Sequence, residues 1–400
     1  MTARPRPDRC SDSIAEIERK AQKSANTYGE PVKLPSKILA VEVNRYLDAS
    51  GDVVYAAEAA ATVTGLRLSN NQVLASPRGP AAPLTCLASY GAGGVTRIFA
   101  GCWDKSIWVY TFSGDARSAG KKVTDVSSFS AHADFVKCLL VAPTADKQAV
   151  LISGGADGDV RFWTLDGRPL GKVNPNCRSI ESLAVDPLSS PDEPVVVFST
   201  SQREIFQMTI PALSEIKSST VKLSAPIVAH ETSVYKLHFD GEGDLWTASA
   251  DKTAKRLVRE NGWQADTVLP HPDFVRDVIT HDKYGLVMTA CRDEEVRVWN
   301  RGTGALVHVF TGHFEEVTGL ALSNDLLLSA SIDATLRRWS VAPADLQQTV
   351  HEAANPALAQ DVPGPQDDLG MLTAEEEAEL RALMENEEAE TLEKMAKDDQ

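Results

Sequence analysis

Three residue types that can perform hydrolytic chemistry recur in this chain at a nearly constant spacing. A histidine comes 20 to 25 residues before an aspartate, and a serine or threonine stands four residues before that aspartate. The four sets are His132, Ser153 and Asp157; His230, Thr247 and Asp251; His271, Thr289 and Asp293; and His313, Ser329 and Asp333. In a catalytic triad, a histidine held by a carboxylate takes the proton of a hydroxyl nucleophile, and these are the residue types that such a site needs.

The repetition itself favours a structural interpretation over a catalytic one. A nucleophile is expected once, in a cleft with an oxyanion hole, whereas this arrangement occurs four times. Three of the aspartates are followed six residues later by Trp163, Trp299 and Trp339, and Leu257 fills the fourth position. A buried Asp–His–Ser/Thr–Trp chain satisfies each of its polar groups in turn. Nucleophile-elbow, P-loop and zinc-protease motifs are also missing from the sequence, so we expect no enzyme, no metal and no cofactor.

The same spacing shows a repeat. Asp104, with Tyr110 six residues later, extends the series, and the steps between aspartates are 53, 94, 42 and 40 residues, of which 94 is twice 47. The clearest copy, 313–341, contains three strand-like stretches and a tight turn at Asp333. Those stretches are Val317–Leu322, Leu326–Ser331 and Thr335–Ser340. A unit of about 40 to 50 residues with four short strands is typical of a β-propeller.

Seven copies can be counted, and the ring they form has to be closed. Residues 38–69 lack the signature polar residues, and in the worn copy 179–210 Arg203 falls near the expected aspartate. Because the seventh copy ends near Val341, its outer strand must come from another part of the chain. We expect Pro31–Ser36 to supply it, since an open array would leave its first and last sheets unsealed.

With these four recurring residues, the sequence resembles the WD-repeat β-propeller family, whose blades carry the same Asp–His–Ser/Thr–Trp tetrad. The resemblance covers about residues 34–342 and is strongest in the third, sixth and seventh blades. Blade five lacks the tryptophan, blade two lacks the histidine, and blades one and four are degenerate. The resemblance implies an all-β fold, a seven-bladed β-propeller that spans residues 31–342.

Propellers of this family usually bind through one face of the disk, and the resemblance implies which residues line it. The residue before each turn aspartate and the loop after each histidine would lie there. These positions hold Trp103, Arg292, Ile332, Phe135, Phe274 and Glu315. Trp and Arg anchor many protein interfaces, so Trp103, Arg292 and Ile332 are the stronger candidates. Phe135 and Phe274 both occur in the pattern His-x-Asp-Phe-Val, which favours packing beneath the loop.

The two ends of the chain have a different composition from the repeats. Residues 1–30 are expected to be an extension with a short helix that starts at the capping box Ser13–Glu16. The stretch 343–371 is interpreted as a flexible linker, and 372–400 as an acidic helix with an apolar stripe. That stripe, the candidate docking helix, contains Leu380, Leu383, Met384, Leu392 and Met395. Residues 361–400 hold 14 acidic against three basic residues, a net charge of −11 out of the −16 of the whole chain.

Function is constrained less tightly than fold. We expect a non-catalytic scaffold or adaptor, with an assembly factor that binds a basic client through the acidic tail as the first candidate. The alternatives are a subunit of an RNA-processing or RNA-modifying complex and a ubiquitin-ligase substrate adaptor. The basic pairs Lys255-Arg256 and Arg337-Arg338 could contact RNA, but solvated charge on strand edges is favoured, so direct nucleic-acid binding is not expected.

Composition also bears on the cellular compartment. The six cysteines lie far apart without a C-x-x-C pair, which favours free thiols and a reducing environment. Neither a membrane-spanning run nor a secretory signal is present, so a cytoplasmic or nuclear location is expected. A monomer within a larger hetero-complex is the expected state.

Overall fold

The computed structural model describes residues 19–46, 50–74, 79–113, 123–217 and 221–354. In this part of the chain seven antiparallel sheets, each of four strands, follow one another in sequence. The prediction of an all-β, seven-bladed propeller is confirmed. Within each sheet the strands are hydrogen-bonded in chain order, except in the last sheet, where the first strand of the chain takes the outer position.

The strands have the following bounds. Blade 1 contains β2 (Ile38–Val43), β3 (Val53–Glu58), β4 (Val63–Arg67) and β5 (Gln72–Val73); blade 2 contains β6 (Leu84–Ala92), β7 (Val95–Cys102), β8 (Ser106–Ser113) and β9 (Val123–Ser130). Blade 3 contains β10 (Val136–Pro143), β11 (Ala149–Gly155), β12 (Val160–Trp163) and β13 (Pro169–Val173); blade 4 contains β14 (Ile180–Val185), β15 (Val195–Thr200), β16 (Glu204–Thr209) and β17 (Ile227–Val228). Blade 5 contains β18 (Val234–Phe239), β19 (Leu245–Ser249), β20 (Thr253–Val258) and β21 (Gln264–Pro270); blade 6 contains β22 (Val275–His281), β23 (Leu286–Cys291), β24 (Val296–Asn300) and β25 (Leu306–Phe310). Blade 7 contains β26 (Val317–Ser323), β27 (Leu326–Ser331), β28 (Thr335–Ser340) and β1 (Val32–Lys33).

The core lies between neighbouring blades. The second strand of a blade is covered on both faces, and β3, β19 and β23 are buried along their whole length. One apolar cluster joins Met288 and Val298 of blade 6 to Leu320 and Leu327 of blade 7. Strands covered on both faces therefore appear in the sequence as continuous apolar runs, in contrast to the half-exposed outer strands.

One turn is repeated in every blade between its second and third strands. A residue with positive φ occupies the same place in all seven: Ala61, Lys105, Gly158, Arg203, Lys252, Glu294 and Ala334. In five blades this residue directly follows the turn aspartate. The expectation that Arg203 stands near the aspartate position is thereby refined: Arg203 takes the positive-φ place, and Gln202 occupies the position of the aspartate.

The ring is closed by the N-terminal arm. Strand β1 pairs with β28 through Val32 opposite Leu336 and Lys33 opposite Thr335, which confirms the prediction that this segment completes the last blade. Two further backbone hydrogen bonds extend the contact, from Leu34 N–H to the Ala334 carbonyl at 2.8 Å and from Arg338 N–H to the Gly29 carbonyl at 2.7 Å.

The arginine pair of β28 serves this closure. Arg337 is 1% exposed and donates to the side-chain oxygen of Asn26 at 2.8 Å and to the carbonyl of Tyr28. Arg338 donates to the carbonyl of Leu68 in blade 1 at 2.7 Å. The interpretation of this pair as solvated edge charge is therefore wrong for Arg337, because its guanidinium is buried against the N-terminal arm.

Two α-helices flank the propeller in the described residues, besides short 3-10 helices at Leu213–Glu215 and Asp282–Tyr284. Helix α1 covers residues 19–24, and α2 covers Pro343–Ala354. The prediction of a flexible linker over 343–371 is wrong for α2, where Leu346 is buried beside Trp339 and Val341. Pro343 stands at the first helical position, where a missing N–H costs nothing. The docking helix predicted within 372–400 lies outside the described residues.

Candidate protein-binding face

The recurring polar residues form complete hydrogen-bonded chains in blades 3 and 7. In blade 7, His313 lies 2.8 Å from Asp333 through Nδ1 and 2.8 Å from Ser329 through Nε2. Trp339 Nε1 donates to the same Ser329 oxygen at 2.9 Å. Blade 3 repeats this with His132, Ser153, Asp157 and Trp163 at 2.7–2.9 Å. The carboxylate accepts a hydrogen bond from Nδ1–H of the histidine. In the neutral imidazole Nε2 then carries no proton, so it accepts a hydrogen bond from the hydroxyl, and every polar group of the tetrad has a partner.

These chains are unsuited to nucleophilic catalysis. Ser153 and Ser329 are 0% exposed, and each hydroxyl is already shared between a histidine and a tryptophan. Burial lowers the pKa of His132 and of His313, although their aspartates oppose that shift. A substrate cannot reach either hydroxyl, so these residues act by holding a loop to a turn.

Blade 6 departs from the expected tetrad. His271 Nε2 lies 2.8 Å from Thr289, and Trp299 donates to Thr289 at 2.9 Å, but His271 Nδ1 meets the carbonyl of Leu269 at 3.0 Å. Asp293 instead accepts two hydrogen bonds from Arg297, at 2.6 and 3.1 Å. The predicted His271–Asp293 link is therefore wrong, because a nearby cation takes the carboxylate.

Blades 5 and 2 carry incomplete versions. His230 lies 2.8 Å from Asp251 and 2.7 Å from Thr247, while Leu257 leaves the tryptophan's place without a donor. Asp104 in blade 2 accepts the backbone N–H of Ser106 at 2.9 Å without any histidine. The turn is thus preserved where the tetrad is not.

A recurring backbone hydrogen bond places the candidate binding residues on one side of the disk, here named the turn face. In all seven blades the N–H of the residue two positions before the positive-φ residue donates to a carbonyl of the segment that leads into the first strand. The pairs are Ala59 to Lys37, Trp103 to Pro83, Ala156 to Phe135, Ser201 to Ser179, Ala250 to Ser233, Arg292 to Phe274 and Ile332 to Glu316, at 2.9–3.1 Å. Turns and strand-entry loops therefore form a continuous surface around the channel.

Trp103 and Phe135 form the first aromatic group of the turn face. Trp103 is 55% exposed, and its ring centroid lies 5.9 Å from that of Phe135, which is half-buried. The Lys137 ammonium lies 5.9 Å from the Phe135 ring on the side of the channel. An exposed tryptophan supported from below presents a rigid apolar surface of the kind that anchors interfaces.

A second group lies at blades 5 and 6. The Arg292 guanidinium sits 5.3 Å from the Phe274 ring, and its side chain is 52% exposed. Arg276 lies 4.5 Å from the ring of Tyr235, whose centroid is 6.5 Å from that of Phe274. Ile332 is half-buried, which makes it the weakest of the three favoured candidates.

Sequence reasoning missed Lys137, Tyr235 and Arg276. A signal was present for the two cations, since each directly follows the pattern His-x-Asp-Phe-Val. Tyr235 stands one residue into its strand without such a pattern, so only the fold reveals its place beside Arg276.

The central channel is lined by the first strands and has a volume of about 450 Å³. Its cations face carboxylates: Lys137 lies 2.6 Å from Glu181, and Lys236 lies 3.5 Å from Asp277. Glu42 accepts from Ser89 N–H at 3.1 Å and from its hydroxyl at 2.7 Å, and burial raises the pKa of this carboxyl. These paired charges support the ring more readily than they bind a charged ligand.

Helix α1 lies against the turn face at blades 6 and 7. Arg19 donates to both oxygens of Glu294, at 2.6 and 2.7 Å, and Lys23 reaches the same carboxylate at 2.9 Å. Lys20 pairs with Glu315 at 2.8 Å. Burial would raise the pKa of Glu294, but the ion pairs with Arg19 and Lys23 lower it. Glu315, a candidate partner-binding residue, is thus already engaged by the chain's own helix.

Comparison with known proteins agrees with this geometry. The family model described as WD domain, G-beta repeat matches residues 123–164 and 304–340, which include the two complete tetrads. An uncharacterized WD repeat-containing protein of Schizosaccharomyces pombe is 31% identical over 387 residues, covering 94% of this chain and 97% of that protein. The chain belongs to the WD-repeat family. Propellers of this family typically serve as interaction scaffolds and are generally non-catalytic.

More distant similarities add support for the fold. Human striatin is 23% identical over 257 residues, covering 56% of this WD-repeat chain and 30% of striatin. The crystal structure of the WD40 β-propeller domain of Doa1 superposes with a TM-score of 0.63 at 17% identity, covering 80% of this chain and 97% of that domain.

Among the described residues, the helices are too short or too polar to span a membrane.

Proposed function

We propose that this WD-repeat protein is a non-catalytic scaffold that holds two or more macromolecules together, and that the turn face is its main protein-binding surface. The observation that carries the proposal is the exposure of Trp103 and Arg292, each supported from below by a half-buried phenylalanine. Supported aromatic and arginine side chains are the residues that most often dominate interface energies.

The composition of the acidic tail, residues 361–400, favours a partner protein that is basic. Residues 361–400 carry a net charge of −11, and the predicted apolar stripe from Leu380 to Met395 would let this segment fold onto a partner. In this proposal the tail attracts the client and the turn face binds a second protein. A chain ended at Gln360 should then lose basic clients while it keeps the partners of the turn face.

The RNA-binding alternative depended on basic residues that have other partners. Lys255 donates to the carbonyl of Ala229 at 2.8 Å, Arg256 lies 2.7 Å from Asp244, and Arg337 is buried. These contacts favour a protein partner over nucleic acid, because binding to RNA needs cations that are free to meet phosphates.

Affinity purification with mass spectrometry tests the assignment of the surface. The variant Trp103→Ala/Arg292→Ala should lose one set of partners, and the control Leu188→Ala should keep them. Leu188 is 56% exposed on the loop between β14 and β15, at the opposite ends of the strands from the turn face. Identical partners in parent, double variant and control would refute the turn face as the binding surface.

A further inference from the structure

Helix α1 is attached to the propeller in a different way from the arm that follows it. None of its residues 19–24 is buried. Ion pairs join it to the body: Arg19 and Lys23 with Glu294, Lys23 with Glu295 at 3.0 Å, and Lys20 with Glu315. Contacts between partly exposed charges are weakened by salt and stabilise a docked helix only modestly.

The arm after α1 is held by groups that exclude water. Arg337, which is 1% exposed, donates hydrogen bonds to Asn26 and to the carbonyl of Tyr28. Leu34 is 3% exposed, and strand β1 pairs with β28. Residues 26–34 are therefore part of the fold, whereas α1 can leave without opening the core. The boundary between the two modes of attachment lies near residue 25.

The surface beneath α1 is acidic. Glu294 occupies the positive-φ place of the blade 6 turn, with φ of 77°, and its carboxylate accepts from both Arg19 and Lys23. Glu295 lies beside it, and burial raises the pKa of its carboxyl despite the pull of Lys23. With Glu315 from blade 7, these three carboxylates form what is here named the acidic site. Without α1, it would lose Arg19, Lys20 and Lys23 as counter-charges.

We propose that the acidic site binds a basic helix of a partner protein and that α1 occupies it when no partner is present. The partner helix carries cations at positions i, i+1 and i+4, because Arg19, Lys20 and Lys23 have this spacing and meet three carboxylates. This inference rests on the proposed scaffold function and adds a second site on the turn face, occupied until a basic client displaces α1.

A peptide-binding experiment with the full chain tests displacement. The probe is a fluorescently labelled peptide with the sequence of residues 13–24, and binding is followed by fluorescence anisotropy. The variant Arg19→Gln/Lys20→Gln/Lys23→Gln vacates the site and should bind the peptide about tenfold more tightly than the parent chain. The affinity should fall as salt is added, and a control peptide with glutamine at the three cationic positions should not bind.

Adding Glu294→Gln and Glu315→Gln to the vacated variant should abolish peptide binding. A charge exchange provides a check that predicts a gain of binding. The vacated variant that also carries Glu294→Lys and Glu315→Lys should bind a peptide with glutamate at the three cationic positions. Melting temperatures near that of the parent would show that all variants are folded.

Equal affinity of parent and vacated variant, no binding to either, or binding that survives removal of both carboxylates would each overturn the proposal. Such a result is distinguishable from failure of the scaffold function, since the partners lost through Trp103→Ala/Arg292→Ala are measured separately.

Discussion

The guanidinium of Arg337 donates a 2.8 Å hydrogen bond to the side-chain oxygen of Asn26, a residue 311 positions earlier in the chain. This contact joins the last blade to the arm that completes it. In blade 6 the corresponding residue, Arg297, binds its own turn aspartate instead. The same strand position therefore stabilises a turn in one blade and closes the ring in another.

Replacing Arg337 should weaken ring closure. Arg337→Ala leaves a cavity and removes the donor to Asn26 and to the Tyr28 carbonyl, so we expect unfolding to become easier by about 2–4 kcal/mol. Urea unfolding measures this, with Arg292→Ala as the control because Arg292 is exposed. A loss for Arg337→Ala no greater than that of the control would show that the buried contact contributes nothing to closure.

The backbone at Gly29 is equally specific. Its φ is 68°, and a Cβ built there would come within 2.6 Å of the Trp339 ring. Gly29→Ala should therefore cost more than the roughly 1 kcal/mol typical of alanine in this conformation. Gly262→Ala is the matched control, since Gly262 has a φ of 66° and open space around it. Equal shifts in melting temperature would contradict the predicted clash.

Much of this architecture could be predicted from sequence because its signals are local. The turn aspartates recur because their carboxylates accept nearby backbone N–H groups, as Asp333 does from Thr335 at 2.8 Å. Each such turn needs only a few consecutive residues. The number of blades can therefore be estimated from the spacing of the turn aspartates along the sequence, even where the histidine is missing.

What could not be predicted depends on contacts distant in sequence or on competition between neighbours. Arg337 appears as half of an exposed basic pair until β1 covers it. Asp293 has a histidine at the expected distance, yet Arg297 on the same hairpin takes its carboxylate. The docking of α1 depends on pairs more than 270 residues apart, such as Arg19 with Glu294, and no local pattern reports these.

The two kinds of tetrad should differ in a double-mutant cycle. For His313 and Asp333, which are 2.8 Å apart, we expect a coupling energy of about 1–3 kcal/mol when each is replaced singly and together. For His271 and Asp293 the coupling should be close to zero, because His271 Nδ1 bonds to the Leu269 carbonyl. Similar coupling in both blades would mean that His271 and Asp293 interact directly in solution.

Stability should fall with acid in a window set by two histidines. Burial lowers the pKa of His238 and of His271 from 6.5 to about 4, with Lys236 adding to the shift at the first and Arg297 at the second. The aspartates near them, Asp240, Asp277 and Asp282 at His238 and Asp293 at His271, oppose it.

The folded state binds these protons more weakly than the unfolded chain does. The stability that each neutral histidine contributes is therefore complete above pH 6.5 and is lost as the pH falls towards 4. Each histidine contributes at most about 3 kcal/mol to this loss. Urea unfolding across this range measures it, and His271→Gln should reduce the slope. A free energy of unfolding that is constant between these pH values would refute both shifts.

The central claim, that the turn face binds protein partners, is tested most directly by site-specific photocrosslinking in cells. A photoreactive phenylalanine analogue is placed at Trp103 on the turn face and, in a second chain, at Leu188 on the opposite side. We predict crosslinked adducts with other proteins from position 103 and few or none from position 188. Adducts from position 188 alone, or none from either position, would contradict the account.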